Sequence, residues 1–390
     1  MSIVSVAQCS TYDLSEVEAA LRRLLEPLGG IGAFVEPGQR VLLKPNLLIP
    51  VRPEWAITTH PAVVEGMVRL VQEAGGDPFI IDSPAGPLHN RPGMNRIYRD
   101  TGLREVAERT GVSLRYDSDA VRVPTPDGAL LKQLDLLKVW REEADVTIAL
   151  PKFKTHGLTT ITGALKILFG LVPGMTKSGY HAKLVDVDRF CDMLIEIVAC
   201  VRPALFVMDG VLGMEGDGPS LKGRPRHVGA LLASADGTAM DAVVCQIMGV
   251  DPDQLPLFRA AERYGWWPVE ITVAGASVAD VAMPDFRLPA STPTVTRRAD
   301  RSLRSRLLTR ALIPRLVPQR ERCTACGTCV SMCPQQAITI VAGDGGRRLA
   351  VVDDERCIRC YCCQEVCPEA AIDLEFSWLG RLLRWSGVLG

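Results

Sequence analysis

No run in the 390 residues approaches the ~20 consecutive apolar residues that a membrane span needs. The first residues, MSIVSVAQCSTYD, have neither the charged start nor the apolar core of a secretory signal, so a cytoplasmic location is expected. No G-x-G-x-x-G follows the first predicted strand, and neither a Walker A loop nor H-E-x-x-H occurs, which leaves a standard nucleotide site unsupported. An excess of positive charge is missing as well: the net charge is −1, and no nucleic-acid partner is expected. One stretch lacks charge of a single sign. Residues 146–185 contain no Asp or Glu, yet they carry Lys152, Lys154, Lys166, Lys177, Lys183, His156 and His181.

What the chain does have is cysteine. Eight of its 13 cysteines fall in two runs of the form C-x2-C-x2-C-x3-C-P: Cys323, Cys326, Cys329 and Cys333, then Cys357, Cys360, Cys363 and Cys367. Three thiolates at that spacing wrap one face of an iron–sulfur cube, and the fourth of such a run ligates the other cluster. The spacing therefore predicts two 4Fe–4S clusters, one held by Cys323, Cys326, Cys329 and Cys367, the other by Cys357, Cys360, Cys363 and Cys333. Structural zinc uses two pairs across a longer loop, a different pattern. Cys362, beside Cys363, is a ninth thiol: either a packed small side chain or a redox or ligand-swap residue. Cys9, Cys191, Cys200 and Cys245 stand at apolar positions and read as core in a reducing compartment. The segments after each Cys-Pro, QQAITIV and EAAIDLEF, begin helical and become short strands, as a small α+β bacterial-type ferredoxin domain requires.

Residues 1–290 alternate helix-like and strand-like segments, the pattern of an α/β domain with a mainly parallel sheet and helices on both faces. Helices are predicted over 14–28, 61–74 and 185–200. Buried strands are predicted over 40–43, 79–82, 146–150, 205–209 and 230–234, all short apolar runs. Residues 291–320 form an Arg-rich connector, 321–374 the ferredoxin domain, and 375–390 an amphipathic tail.

Ligands of open α/β sheets bind beyond the carboxyl ends of the strands. Lys44 and Asn46 follow the first buried strand, and Lys152, Lys154 and His156 follow the strand over 146–150. With Lys166 they are candidate ligands for an anionic group, a carboxylate or a phosphate; a solvated basic loop is the plain alternative. Thr159, Thr160 and Thr162 precede an apolar run whose helix start would add N–H groups to that site. His156 and His181 are candidate proton donors because imidazole titrates near neutrality. Glu215, with Asp217 in the Gly-rich MEGDGP stretch, is a candidate acid or base, or part of a turn-rich connector.

The connector between Thr294 and Arg322 sets nine arginines against Asp300 and Glu321, with Leu303, Leu307, Leu308, Leu312 and Ile313 interleaved. The tail carries Phe376, Trp378, Leu379, Leu382, Leu383 and Trp385 with Arg381 and Arg384. Both suit either interdomain packing or peripheral contact with a membrane surface.

The set KPN at Lys44–Asn46, TTHP at Thr58–Pro61, PKFKTH at Pro151–His156, GALK at Gly163–Lys166, MEGDGP at Met214–Pro219 and CIRCYCC at Cys357–Cys363 resembles the DUF362 family of iron–sulfur proteins. The resemblance covers about 40–373 and implies an α/β domain of unassigned chemistry fused to a two-cluster ferredoxin. Many relatives have Asn after the GALK lysine, where this chain has Ile167. The function expected from the residues is a reductase: two clusters pass electrons from a low-potential donor or redox partner protein to an anionic small molecule at the strand ends. If the chemistry is hydride transfer, a flavin is a further cofactor that no motif marks. The alternatives are an electron-carrier or assembly subunit without its own active site, and a non-redox enzyme with structural clusters.

Overall fold

The computed structural model describes residues 1–291, 313–378 and 381–382. Arg297 to Arg310 of the connector, Leu379 and the tail from Leu383 onward lie outside the described residues.

Sixteen strands are described. The first twelve are β1 (Ser2–Gln8), β2 (Arg40–Pro45), β3 (Asp77–Ile80), β4 (Ser113–Leu114), β5 (Ala120–Pro124), β6 (Gln133–Leu137), β7 (Val146–Leu150), β8 (Lys152–His156), β9 (Thr160–Ile161), β10 (Leu205–Gly216), β11 (Gly223–Ser234) and β12 (Ile271–Gly275). The last four belong to the C-terminal module: β13 (Arg315–Pro318), β14 (Ile338–Ala342), β15 (Arg348–Val352) and β16 (Ile372–Glu375). The main sheet runs β12-β1-β11-β10-β7-β2-β3-β4, with β8 beside β10 and β9 beside β8. Its pairings are parallel except those of β11 with β1 and β10, and of β8 with β9.

Alternate residues of the strands feed two separate cores. Val41 and Leu43 join one, and Leu42 joins the other; Leu205 and Val207 divide in the same way from Phe206 and Met208. Helices Leu14–Leu25, Pro61–Glu73, Arg91–Asp100 and Leu103–Thr110 cover the first face. Helices Val187–Val201, Gly237–Ile247 and Pro256–Arg263 cover the second. Both faces are dry, which is why the strands read as unbroken apolar runs rather than alternating ones.

Two expectations about the site region change. Lys152–His156 is strand β8, not a loop, and Met214–Gly216 ends the long strand β10 rather than lying in a connector. Backbone pairing with β10 carries these polar residues past the end of β7. The C-terminal module is a small α+β unit: β13 pairs β16, β14 pairs β15, and short helices Thr328–Met332 and Cys362–Glu365 follow the two Cys triplets' first turns.

Candidate functional site between the sheet edge and the cysteine module

Beyond the carboxyl ends of β2, β3 and β7 lies a cavity of about 70 Å³ walled on one side by the C-terminal module. At roughly 10–15 Å³ per water it holds on the order of five waters, or a small anion of a few heavy atoms. Its α/β wall presents Lys44, Asn46, Asp82, Lys154, His156, Thr162, Lys166, Lys177 and His181, and its module wall presents Met332, Cys362, Glu365 and Val366.

The lysines are not equivalent. Lys44 is buried in an ion pair with Asp82 at 3.0 Å, and Asp82 also accepts from the backbone N–H groups of Leu47 and Ser83. Lys154, also buried, donates to Asn46 Oδ1 at 2.6 Å and to the Ile57 carbonyl at 2.7 Å, with no carboxylate partner among the described residues. Lys177 donates to the Ser83 carbonyl and lies over the Phe169 ring. Lys166, half-buried, has no ion-pair or hydrogen-bond partner among the described residues. Burial lowers the affinity of all four amines for their protons, and for Lys177 it does so down to about 7. A cluster of desolvated cations that outnumbers its carboxylates is stabilised by an anion between them.

Both histidines expected here line the cavity, but burial and neighbouring lysines hold their pKa values below the ordinary range, His181 at about 3. They are neutral near pH 7, so neither supplies an imidazolium proton there. His156 Nδ1 accepts from the backbone N–H of Leu158 at 3.0 Å and of Thr159 at 3.4 Å. The ring's proton is thereby assigned to Nε2, which lies 3.3 Å from Glu365 and otherwise has no partner. Thr162 Oγ1, in the same wall, is also buried without a partner. His181 stacks on Phe190 with ring centres 4.4 Å apart.

Three expectations are corrected. Lys152 does not line the cavity; its ammonium is fully buried at 2.6 Å from Asp209 and 2.9 Å from Tyr12 Oη, because a buried charge is held by its nearest counter-charge. Glu215 is placed away from the cavity, where its carboxylate accepts from the Arg287 backbone N–H, and Asp217 likewise caps Ala290. The helix start after Thr162 is not free for an anion: Asp241 accepts from Ala164 N at 2.6 Å and Leu165 N at 2.9 Å. Gly163 has φ +58°, and a Cβ there would meet the Asp241 carboxylate at 2.4 Å, so this turn requires glycine. Glu365 escaped sequence reasoning because it belongs to a segment remote from the lysines, and Asp82 stood at a strand end as one polar residue among several. Lys177 was visible as charge but not as a cavity residue.

Cys323, Cys326, Cys329 and Cys367 ring one space within the module. Cys333, Cys357, Cys360 and Cys363 stand near enough for their charges to interact. No cysteine is in a disulfide. Backbone N–H groups of Ala337, Ala350, Arg359 and Ala371 point at Cys333, Cys323, Cys357 and Cys367 at 3.2 to 3.4 Å, donors that stabilise ligating thiolates. Among the described residues no three His, Cys, Asp or Glu converge on a single ion; sulfurs spread around a space suit a cluster several ångström across. The donor set therefore fits 4Fe–4S groups. A flavin does not fit the cavity, since organic cofactor sites run to about 300 Å³ or more.

These features define a class: an α/β domain whose strand-end cavity is walled by a cysteine-rich iron–sulfur module. The chain belongs to the family described as "Domain of unknown function (DUF362)", whose model matches residues 41–246, and it carries a 4Fe-4S dicluster domain over residues 322–371. It is an iron–sulfur protein. It is 39% identical over 307 residues to the "Thylakoid-associated protein sll1697" of Synechocystis sp., with 73% of this chain and 91% of that protein covered. Among solved structures, the lactate racemase apoprotein from Thermoanaerobacterium thermosaccharolyticum is similar at a TM-score of 0.36 and 14% identity, over 64% of this chain and 57% of that one. No described helix is long and apolar enough to cross a membrane.

Proposed function

We propose that this protein is an iron–sulfur reductase acting on a small anionic substrate held between Lys44, Lys154, Lys166 and Lys177. The observation that carries this reading is the shared wall: the cationic end of the α/β sheet and the cysteine module's Cys362 and Glu365 line one cavity. The clusters held by the eight thiolates supply single electrons when present. Lys154 and Lys166, two of the three cavity cations without a carboxylate partner, bind the anion, and Asn46 fixes Lys154 by their 2.6 Å hydrogen bond. His156 donates its Nε2–H to the substrate as a neutral imidazole. Lys177, with a pKa of about 7, is the lysine that can exchange a proton at neutral pH.

The test is sulfate binding to the cluster-loaded protein by calorimetry, then turnover with a chemical reductant and small carboxylates. Lys154→Met and Lys166→Met are expected to weaken sulfate binding at least tenfold, a loss of ~1.4 kcal/mol. Unchanged affinity in both variants refutes the anion site and favours an electron carrier without its own active site.

The exposed Trp378 and Leu382, with the thylakoid association that the Synechocystis relative's name states, support a second reading: the tail contacts a membrane surface while the cavity faces the aqueous side.

A further inference from the structure

The cavity holds neutral donors as well as cations, and they too lack partners. Thr162 Oγ1 and His156 Nε2 make no hydrogen bond, although their residues are only 2% and 1% exposed. The His156 ring is anchored at its other nitrogen by the Leu158 and Thr159 amides, so Nε2 lies on the side of Glu365, itself a cavity residue. At 3.3 Å Glu365 comes near that N–H without satisfying it. Asp82, the other carboxylate of the lining, is already engaged by Lys44 and two amides. Buried donors left unpaired cost stability, and a ligand that brings an acceptor removes that cost.

The donors come in two like pairs. Lys154 and His156 alternate on β8 and so share one face of it. Thr162 caps the short helix Gly163–Ile167 and stands four residues before Lys166, one turn along the same side. Each element thus offers one ammonium and one neutral donor to the same cavity. Ammonium groups match a charged oxygen, and a hydroxyl and a neutral imidazole match an uncharged one beside it. The module's wall is apolar: Met332, Cys362 and Val366 form a cluster on which Ala85 of the α/β domain packs. A tetrahedral oxyanion would turn oxygen toward that wall, where a short carbon chain fits.

Resting on the reductase reading, we infer that the substrate is a short-chain 2-oxo acid: its carboxylate lies between Lys154 and Lys166, its keto oxygen accepts from Thr162 and His156, and its carbon chain meets Met332 and Val366. A plain carboxylate or an unsaturated acid of the same length leaves the two neutral donors unpaired, and such a site rejects an analogue lacking the paired oxygen. The reduction is R–CO–COO⁻ + 2 e⁻ + 2 H⁺ → R–CH(OH)–COO⁻. The C=O π bond breaks, and one O–H and one C–H bond form. The electrons are those of a low-potential one-electron donor. The protons come from solvent, one reaching the oxygen by way of His156 and the other going to the carbon.

Calorimetry on the cluster-loaded full chain, oxidised and anaerobic, compares pyruvate with propionate, which has the same chain and carboxylate but no keto oxygen. Pyruvate is expected to bind about tenfold tighter. Thr162→Val is expected to erase most of that preference and Thr162→Ser to keep it, whereas Lys166→Met should weaken both acids alike. Equal affinity for the two acids in the wild type overturns the assignment, and this comparison needs no variant. A preference that Thr162→Val leaves intact overturns it too, and binding of neither acid overturns it together with the anion site. The reductase reading is tested separately, by adding a chemical reductant and looking for the 2-hydroxy acid. Selective binding without product removes the reductase and leaves the 2-oxo acid site standing; product from pyruvate supports both.

Discussion

Five lysines that look alike in the sequence are separated by the fold into three electrostatic situations. Lys152 is a buried cation with a buried carboxylate; Lys44 shares Asp82 with two backbone donors; Lys154, Lys166 and Lys177 face the cavity without a carboxylate of their own. Breaking a buried pair by removing one charge costs about 3–5 kcal/mol. Asp209→Asn is therefore expected to destabilise the protein by that amount in urea unfolding, with Tyr12 and the His60 backbone N–H losing the same carboxylate. Lys177 makes a pH prediction. Its folded-state value of about 7 lies below an ordinary lysine, so the unfolded chain holds more protons between about 7 and 10. Stability of the anion-free protein should rise with pH across that window. Sulfate affinity should do the reverse, falling as pH rises through about 7, and Lys177→Met should flatten that step in a calorimetric pH series. His181, at about 3, stays neutral in the folded protein and should add no step to sulfate affinity between mildly acidic and neutral pH.

At the scale of elements, the helix Gly163–Ile167 is only five residues long, too short to hold itself in place. Asp241, from the helix Gly237–Ile247, fixes it by taking the Ala164 and Leu165 amides, and so fixes where Lys166 points. Burial raises the Asp241 carboxyl to about 7, so an uncharged acceptor is tolerable there. Asp241→Asn keeps one acceptor oxygen for the two amides, so it should lose about 1–3 kcal/mol of stability and part of the sulfate affinity. Asp241→Leu strands two buried N–H groups at about 1–3 kcal/mol each, and thermal unfolding plus sulfate calorimetry should show both losses. Gly170 works similarly at close quarters: a Cβ there would lie 2.1 Å from Asp82 Oδ1 and from Lys44 Nζ.

At the scale of the whole molecule, the site exists only because the module docks on the sheet edge. Lys222 pairs with Asp373 across that junction, and His156 meets Glu365. Trp378 is 72% exposed and Leu382 51% exposed, both in the tail that follows β16. Apolar side chains with neighbouring arginine favour an anionic lipid surface. Wild-type protein is expected to float with anionic vesicles and the Trp378→Ser/Leu382→Ser double variant to remain behind; equal flotation would remove the membrane contact.

Some of this was written in local sequence. The thiol spacing is a short-range code, since ligands three residues apart share one turn whatever surrounds them, and it led to the iron–sulfur assignment without coordinates. The doubly covered sheet was legible from its unbroken apolar strands, and the lysine-only stretch over 146–185 marked the right edge of the sheet. Local pattern does not encode which charge meets which. That Lys152 turns to Asp209, that Glu215 serves Arg287, that Asp241 takes the helix amides, and that Glu365 arrives from a segment some two hundred residues away from His156 are matters of long-range packing. Desolvation is also set by tertiary burial alone, which is why both histidines, poised for neutral pH in a free chain, are neutral in the folded one.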